Sequence, residues 1–142
     1  MATTQSLIQS ARDYTDFVSR ADLDGVLSTL EPEPVFDLYP IARRMSGSSK
    51  LRRYFQYFFA EVQPRIDRFI LRSELAGERG LAHEYDVFAR MPRAEAVTKH
   101  RVITVVVFGS EQLAGERIYS DEKFLRLLIG PLWNALELIP AD

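Results

Sequence analysis

The stretch GERIYSD, Gly115 to Asp121, ends in an acid where an alternating pattern gives way to a helical one, EKFLRLLIG. Asp121 therefore admits two readings. An Asp at that junction caps the helix behind it, and Glu122 in the first turn suits the helix dipole. It can also be the carboxylate of an active site. A second acid, Asp86, lies on a different strand-like segment. Two carboxylates face to face in a dry cavity have pKa values pushed apart, so that one works as base and the other as acid. The competing reading of Asp86 is a solvent-facing strand residue.

The chain has two histidines, the residue that moves protons near neutral pH. His100 starts a strand between Lys99 and Arg101, where it is either a proton carrier in a cavity or an exposed polar residue. His83 alternates with Glu84 and Asp86, so His83 and Tyr85 face away from those two acids. The histidines lack HxH or HxxxH spacing, which argues against a metal site. Tyr14 sits on the apolar face of a helical stretch, the usual place of a core tyrosine with a satisfied hydroxyl. Tyr39 ends a strand and is either a donor at a pocket mouth or a rim residue. Period two puts Arg117, Tyr119 and Asp121 on one face of their strand, and Glu116, Ile118 and Ser120 on the other.

Composition narrows the classes. The 142 residues suit one domain, 1–142, with one core. Apolar content is 46%, charged content 27% and net charge −2, so nothing in the charge balance points to nucleic acid or an anionic membrane. The basic cluster Arg43, Arg44, Lys50, Arg52, Arg53 reads as a solvated helix face. There is no Cys, which excludes disulfides, thiolate zinc sites and Cys nucleophiles and leaves cytoplasm as the default compartment. The N-terminus lacks the charged and apolar regions of a signal peptide. Apolar runs such as Val102–Gly109 fall far short of the ~20 residues that span a bilayer. Gly47-Ser48-Ser49-Lys50 is not a phosphate-binding P-loop, and no cofactor is expected.

The elements that must position these residues follow from periodicity. Residues ~5–20 form an amphipathic helix through Leu7, Ala11, Tyr14 and Val18. Asp22 or Asp24 caps a short second helix, ended by Glu31-Pro32-Glu33-Pro34. Val35–Tyr39 is a strand stopped by Pro40, and Ile41–Ser49 is a loop. Ser48 or Ser49 caps a helix carrying Leu51, Tyr54, Phe55, Phe58 and Val62, ended by Pro64. The period then changes. Arg65–Ala76, Leu81–Arg90, Val97–Phe108 and Leu113–Ser120 are strands in a meander. A short helix around Phe124–Ile129 is broken by Gly130-Pro131, and the apolar tail Leu132–Ile139 packs back on the rest. Strands follow helices instead of alternating with them, so the class is α+β with an antiparallel sheet. A long curved sheet with helices on one side leaves a cone-shaped cavity between the layers, a usual place for a small-molecule site.

The chain resembles the NTF2-like superfamily, which includes ketosteroid isomerases, SnoaL-like polyketide cyclases and limonene epoxide hydrolases. YTDFVSRADLDGV, Tyr14–Val26, is similar to the isomerases' first-helix signature, and ITVVVFGSEQLAGERIYSDEK, Ile103–Lys123, to the final hairpin of SnoaL-like proteins. The resemblance implies a cone-shaped NTF2-like, cystatin-like fold with N-terminal helices packed around a cavity. It does not carry steroid isomerase chemistry over. The isomerases' base position falls on Leu38 or Tyr39, and the position of their protonated Asp, the device of ketosteroid isomerase, falls on Thr104; Tyr14 alone survives. The cyclase acid matches Asp121. The epoxide hydrolases' triad matches Asp121 and Asp86, but Glu84 stands where their Arg should be, and Phe36 and Leu38 replace their water-holding pair.

These matches set the expected site. Asp121 and Asp86 are the expected catalytic acids. Thr104 faces the cavity by the isomerase match, and His100 with it by parity. Tyr14, Tyr39, His100, Thr104, Glu84 and Tyr119 are the expected ligand contacts, with the Asp121 face of the last strand as pocket wall. The expected function is binding of an apolar or aromatic small molecule, with acid/base chemistry of the cyclase, isomerase, dehydratase or hydrolase type. The alternative is a non-catalytic ligand-binding or dimeric interaction module. A homodimer is expected, because Ile103, Val105 and Val107 form an apolar strip on the outer sheet face.

Overall fold

In a computed structural model, which describes residues 1–94 and 96–141, four helices and seven strands follow one another much as the periodicity dictates. Helix α1, Thr4–Ser19, starts at Thr3, whose hydroxyl accepts from Ser6 N while the Ser6 hydroxyl accepts from Thr3 N, a reciprocal cap. It buries Leu7, Ile8, Ala11 and Tyr14 on one stripe. Helix α2, Leu23–Ser28, is capped by Asp22, which accepts from Gly25 N at 2.9 Å. Helix α3, Ser48–Tyr57, runs into a π turn, Phe58–Val62, and a 3₁₀ turn, Gln63–Arg65, at Pro64.

The strands are β1, Leu30–Tyr39; β2, Arg43–Ser46; β3, Ile66–Ala76; β4, Gly80–Arg90; β5, Val97–Phe108; β6, Leu113–Tyr119; and β7, Glu137–Leu138. They form one sheet in the order β3-β4-β5-β6-β1-β2-β7. Every pairing is antiparallel except β1 with β6, which runs parallel. The architecture is the expected α+β cone, and the sheet is open. Register shifts in the β1–β6, β3–β4 and β5–β6 pairings bend it around the helices.

Three local expectations change. The first strand extends back to Leu30, through Pro32 and Pro34, whose missing N–H groups cost nothing where no ladder bond is required of them. The expected loop Ile41–Ser49 holds β2, which pairs with β1 and, at its other edge, with β7. Its four residues are too few to show a period. Helix α3 is capped by Gly47, not by either serine, and the Ser48 hydroxyl donates instead to the Pro32 carbonyl at 2.7 Å. The tail does pack back, through a 3₁₀ stretch, Gly130–Ala135, and β7.

The core lies between the inner sheet face and the helices. Phe36 and Leu38 of β1, Leu51 of α3 and Leu81 of β4 are fully buried there, together with Leu125 of helix α4, Glu122–Ile129. Facing pairs fix which residues look inward. On β4 and β5, His83↔Thr104, Tyr85↔Val102 and Val87↔His100 point to the helices. Glu84↔Ile103 and Asp86↔Arg101 point to the outer face.

Candidate functional site

Between α1, α3 and the inner sheet face lies a cavity of about 430 Å³, within the range of small-molecule sites. Its wall is mostly aromatic and aliphatic, with Phe36, Tyr54, Phe55, Phe58 and Phe124 among the lining side chains. An acid stands in this apolar wall. Glu116 of β6 is buried, and its Oε2 accepts a 2.5 Å hydrogen bond from the Tyr14 hydroxyl of α1.

Local sequence explains how Glu116 comes to point inward. Gly115, paired with Val35 of β1, has φ +147°, and a Cβ there would lie 1.8 Å from the Val35 carbonyl oxygen. Only glycine lets the two backbones meet this closely. Beyond it, Glu116 pairs with Phe36 and Val106, both buried, and Ile118 pairs with Leu38 and Thr104. The 116/118 parity is therefore the cavity side.

Burial sets the protonation of the pair. It disfavours the carboxylate and pushes the Glu116 pKa up to about 7; the hydrogen bond from Tyr14 acts the other way and is the smaller effect. Tyr14 is held well above its ordinary value, first by burial and then by the Glu116 charge, so its proton stays on oxygen. Tyr85, in the same wall, is pushed up to about 12 by burial and then by Glu116 and Glu74. The cavity thus holds one acid that changes charge near neutrality and three phenols, Tyr14, Tyr54 and Tyr85, that burial keeps protonated.

Of the residues expected from sequence, Tyr14 and Thr104 line the cavity. The other expected contacts lie outside it. Asp86 is on the outer face, where its side chain is covered by Arg72 and Arg101, each donating Nε at 2.7 Å, with the Lys99 ammonium at 3.7 Å. Those two hydrogen bonds hold its pKa down to about 2. Glu84 faces the same way and accepts from Arg101 at 3.1 Å. His83 and Tyr85 do oppose these acids, and the cavity lies on the side of His83 and Tyr85. Tyr39 and Tyr119 stack on each other outside, centroids 5.3 Å apart.

Asp121 lies just past the end of β6, so the strand's parity no longer governs it. It caps α4, accepting from Phe124 N at 2.8 Å, and it also meets His100 Nδ1 at 2.5 Å. Burial pushes its carboxyl up, but the hydrogen bonds from His100 and Phe124 outweigh burial and hold it below its ordinary value. His100 is buried on the inner face, as its parity implies, but it is spent between Asp121 and the Thr98 hydroxyl, 2.7 Å from Nε2, and stacks on Phe124. The structure does not bring Asp86 and Asp121 to a common cavity.

Because Asp121 lies past the end of β6 and caps α4, parity counted from it puts Glu116 on the outer side. The available signal was its neighbour at period two, Ile118: an apolar residue on that parity marks the inner face. Among the described residues there is no group of three His, Cys, Asp or Glu side chains that can hold a metal ion. No helix among them is long and apolar enough to cross a membrane.

No protein-family model matches the chain, and no curated protein matches it significantly. Solved structures do. An NTF2-like protein from Burkholderia xenovorans is 15% identical, with a TM-score of 0.67 over 90% of this chain and 98% of that one. A steroid delta-isomerase from Pseudomonas aeruginosa is 16% identical, with a TM-score of 0.65 over 91% and 90%. A bacterial protein with a cystatin-like fold from Silicibacter pomeroyi is 11% identical, with a TM-score of 0.64 over 84% and 79%. Identities this low speak for architecture alone, and the helix-wrapped, curved sheet around a cavity is accordingly an NTF2-like, cystatin-like fold.

Proposed function

We propose that the cavity binds a small apolar or aromatic molecule and that Glu116 moves a proton on it. The observation that carries this reading is a carboxyl buried in a mostly apolar chamber and held there by Tyr14, where burial pushes its pKa up to about 7. A general base works best when its pKa lies near the working pH. Tyr14 engages Oε2 and fixes the carboxylate, while Oε1 has no hydrogen-bond partner among the described residues and is left for a ligand. The chemistry that fits is removal of a proton from carbon next to a carbonyl and its return at the same or a neighbouring carbon, an isomerase-type reaction. The architecture's likeness to a steroid delta-isomerase is a precedent for that class. A steroid is not proposed, because Leu38 or Tyr39 occupies the position that the resemblance assigns to the isomerases' base.

The test is exchange of the α-protons of 2-tetralone in deuterated buffer, followed by NMR. The wild type should exceed the buffer rate, and Glu116→Gln should lose about a hundredfold or more of that excess. Equal rates for the two proteins would remove Glu116 from any such role and favour a purely ligand-binding cavity. The outer sheet face is proposed as a self-association surface, since Ile103 and Tyr119 are exposed there. Light scattering after size exclusion should give the mass of a dimer, and a monomer at micromolar concentration would refute it.

A further inference from the structure

A second polar array reaches the cavity from the surface. Arg12 of α1 donates Nη2 to Glu74 Oε1 at 2.7 Å. The other Glu74 oxygen lies 2.7 Å from His83 Nε2, and His83 Nδ1 lies 3.1 Å from the Tyr85 hydroxyl. His83 is buried at 4% exposure, while the Glu74 side chain keeps 30%. The array is thus open to solvent at Glu74 and ends in the cavity wall at Tyr85. Buried histidines need partners for both nitrogens, but a partner that lines the cavity is more than structure requires.

We infer that Tyr85 is the cavity's second proton-handling group, recharged by His83, which Glu74 orients, and that the ligand carries an oxygen on its apolar skeleton to meet it. The inference rests on the proposed role of Glu116. With His83 neutral, Nε2–H donates to Glu74, Nδ1 accepts from Tyr85, and the phenol oxygen can accept from a ligand hydroxyl. With His83 protonated, Nδ1–H donates to the Tyr85 oxygen, and the phenol proton is free for a ligand carbonyl. Proton transfer then balances. The substrate carbon gives its proton to the Glu116 carboxylate, the substrate oxygen takes the Tyr85 proton, and Tyr85 takes the Nδ1 proton of His83. The product is an enol, with Glu116 protonated and His83 neutral. The reverse sequence at another carbon returns both groups. Neither Tyr14 nor Tyr85 has to ionise, which burial disfavours for both.

The experiment compares 2-naphthol with naphthalene, which differ by the oxygen alone, in binding assays on the full chain. Tyr85→Phe should weaken 2-naphthol about tenfold, roughly one hydrogen bond, and leave naphthalene unchanged. His83→Leu should weaken 2-naphthol in the same way, because Tyr85 loses its anchor. His83→Gln supplies one acceptor and one donor, so it should restore 2-naphthol binding. It cannot pass a proton on, so 2-tetralone exchange should remain lost in kcat with little change in KM. Equal losses for both probes, an unchanged ratio in Tyr85→Phe, no binding of 2-naphthol at all, or full exchange in His83→Gln would each overturn the inference. Failure of the Glu116 role reads differently: Glu116→Gln would then exchange at the wild-type rate while the naphthol ratio still depended on Tyr85.

Discussion

The Tyr14 hydroxyl of α1 and the Glu116 carboxyl of β6 meet at 2.5 Å inside the cavity, 102 residues apart in sequence. This contact joins the first helix to the sixth strand and sets the chemistry of the chamber. A carboxyl placed there without a donor would be held neutral more firmly by burial. With Tyr14 it titrates at about 7, where both forms are available.

The raised pKa makes stability depend on pH. Glu116 ordinarily titrates at 4.5 and in the fold at about 7, so the native state holds a proton that the unfolded chain releases. Its contribution is complete below about pH 4.5 and is lost as pH rises through about 7. The difference corresponds to about 3 kcal/mol. Urea unfolding at about pH 4 and pH 8 should show wild type losing most of this amount relative to Glu116→Gln. Parallel stability curves for the two proteins would mean that Glu116 is not buried as described.

Tyr14→Phe removes the one hydrogen bond that lowers the Glu116 pKa and leaves its burial in place. The Glu116 carboxyl should therefore titrate above about 7, visible as an upward shift in a carbon-13 NMR titration. The lost bond should cost about 1–2 kcal/mol of stability. A downward shift would show that water enters the cavity and replaces Tyr14.

The architecture was legible in the sequence because long elements carry their own period. Helix α1 and strands β3 to β6 fall within a residue or two of where alternation and stripe place them. The sites were less legible, and the reason is parity. Alternation separates Glu84 and Asp86 from His83 and Tyr85 correctly, but it does not say which set is inside. That is decided by neighbours, such as Val102 and Thr104 across the ladder, which only the register supplies. On β6, Asp121 misleads parity because it is a helix cap and no longer part of the strand. Glu116 hid for a further reason: a buried acid breaks the rule that inner positions are apolar, and such breaks are expected at functional sites.

Asp86 offers the opposite pH behaviour. Arg72 and Arg101 depress its pKa from 3.8 to about 2, so its contribution is present above about pH 4 and lost as pH falls toward 2. Asp86→Asn should flatten the acid limb of the stability curve, and added salt should do the same to the wild type, because the cations around it are half exposed. The Glu116 titration should not move in this variant. A shift of that titration would place Asp86 in electrical contact with the cavity and restore it as a partner in the chemistry.

Asp121 tests the cap against catalysis. Asp121→Ala removes the acceptor for Phe124 N and should cost about 1 kcal/mol, while Asp121→Asn keeps an acceptor and should cost less. If the cap and the His100 contact are its whole role, 2-tetralone exchange should be unchanged in Asp121→Asn. Loss of exchange in a variant that melts like wild type would return Asp121 to the site.

Gly115→Ala asks how closely β1 and β6 must approach to hold Glu116 inward. The added Cβ would sit 1.8 Å from the Val35 oxygen and 2.7 Å from its carbonyl carbon, and φ at +147° is strained for any L side chain. Both obstacles are backbone, so no rotamer change relieves them. The strands must part, and they part next to the Phe36↔Glu116 pairing that fixes where the carboxyl points. The variant should lose at least about 2 kcal/mol of stability. Its Glu116 pKa should fall back toward 4.5 as the carboxyl gains water and loses Tyr14. Denaturant midpoints with the same carbon-13 titration measure both. A stable variant with Glu116 still at about 7 would show that the parallel β1–β6 contact is not what aims the acid into the cavity.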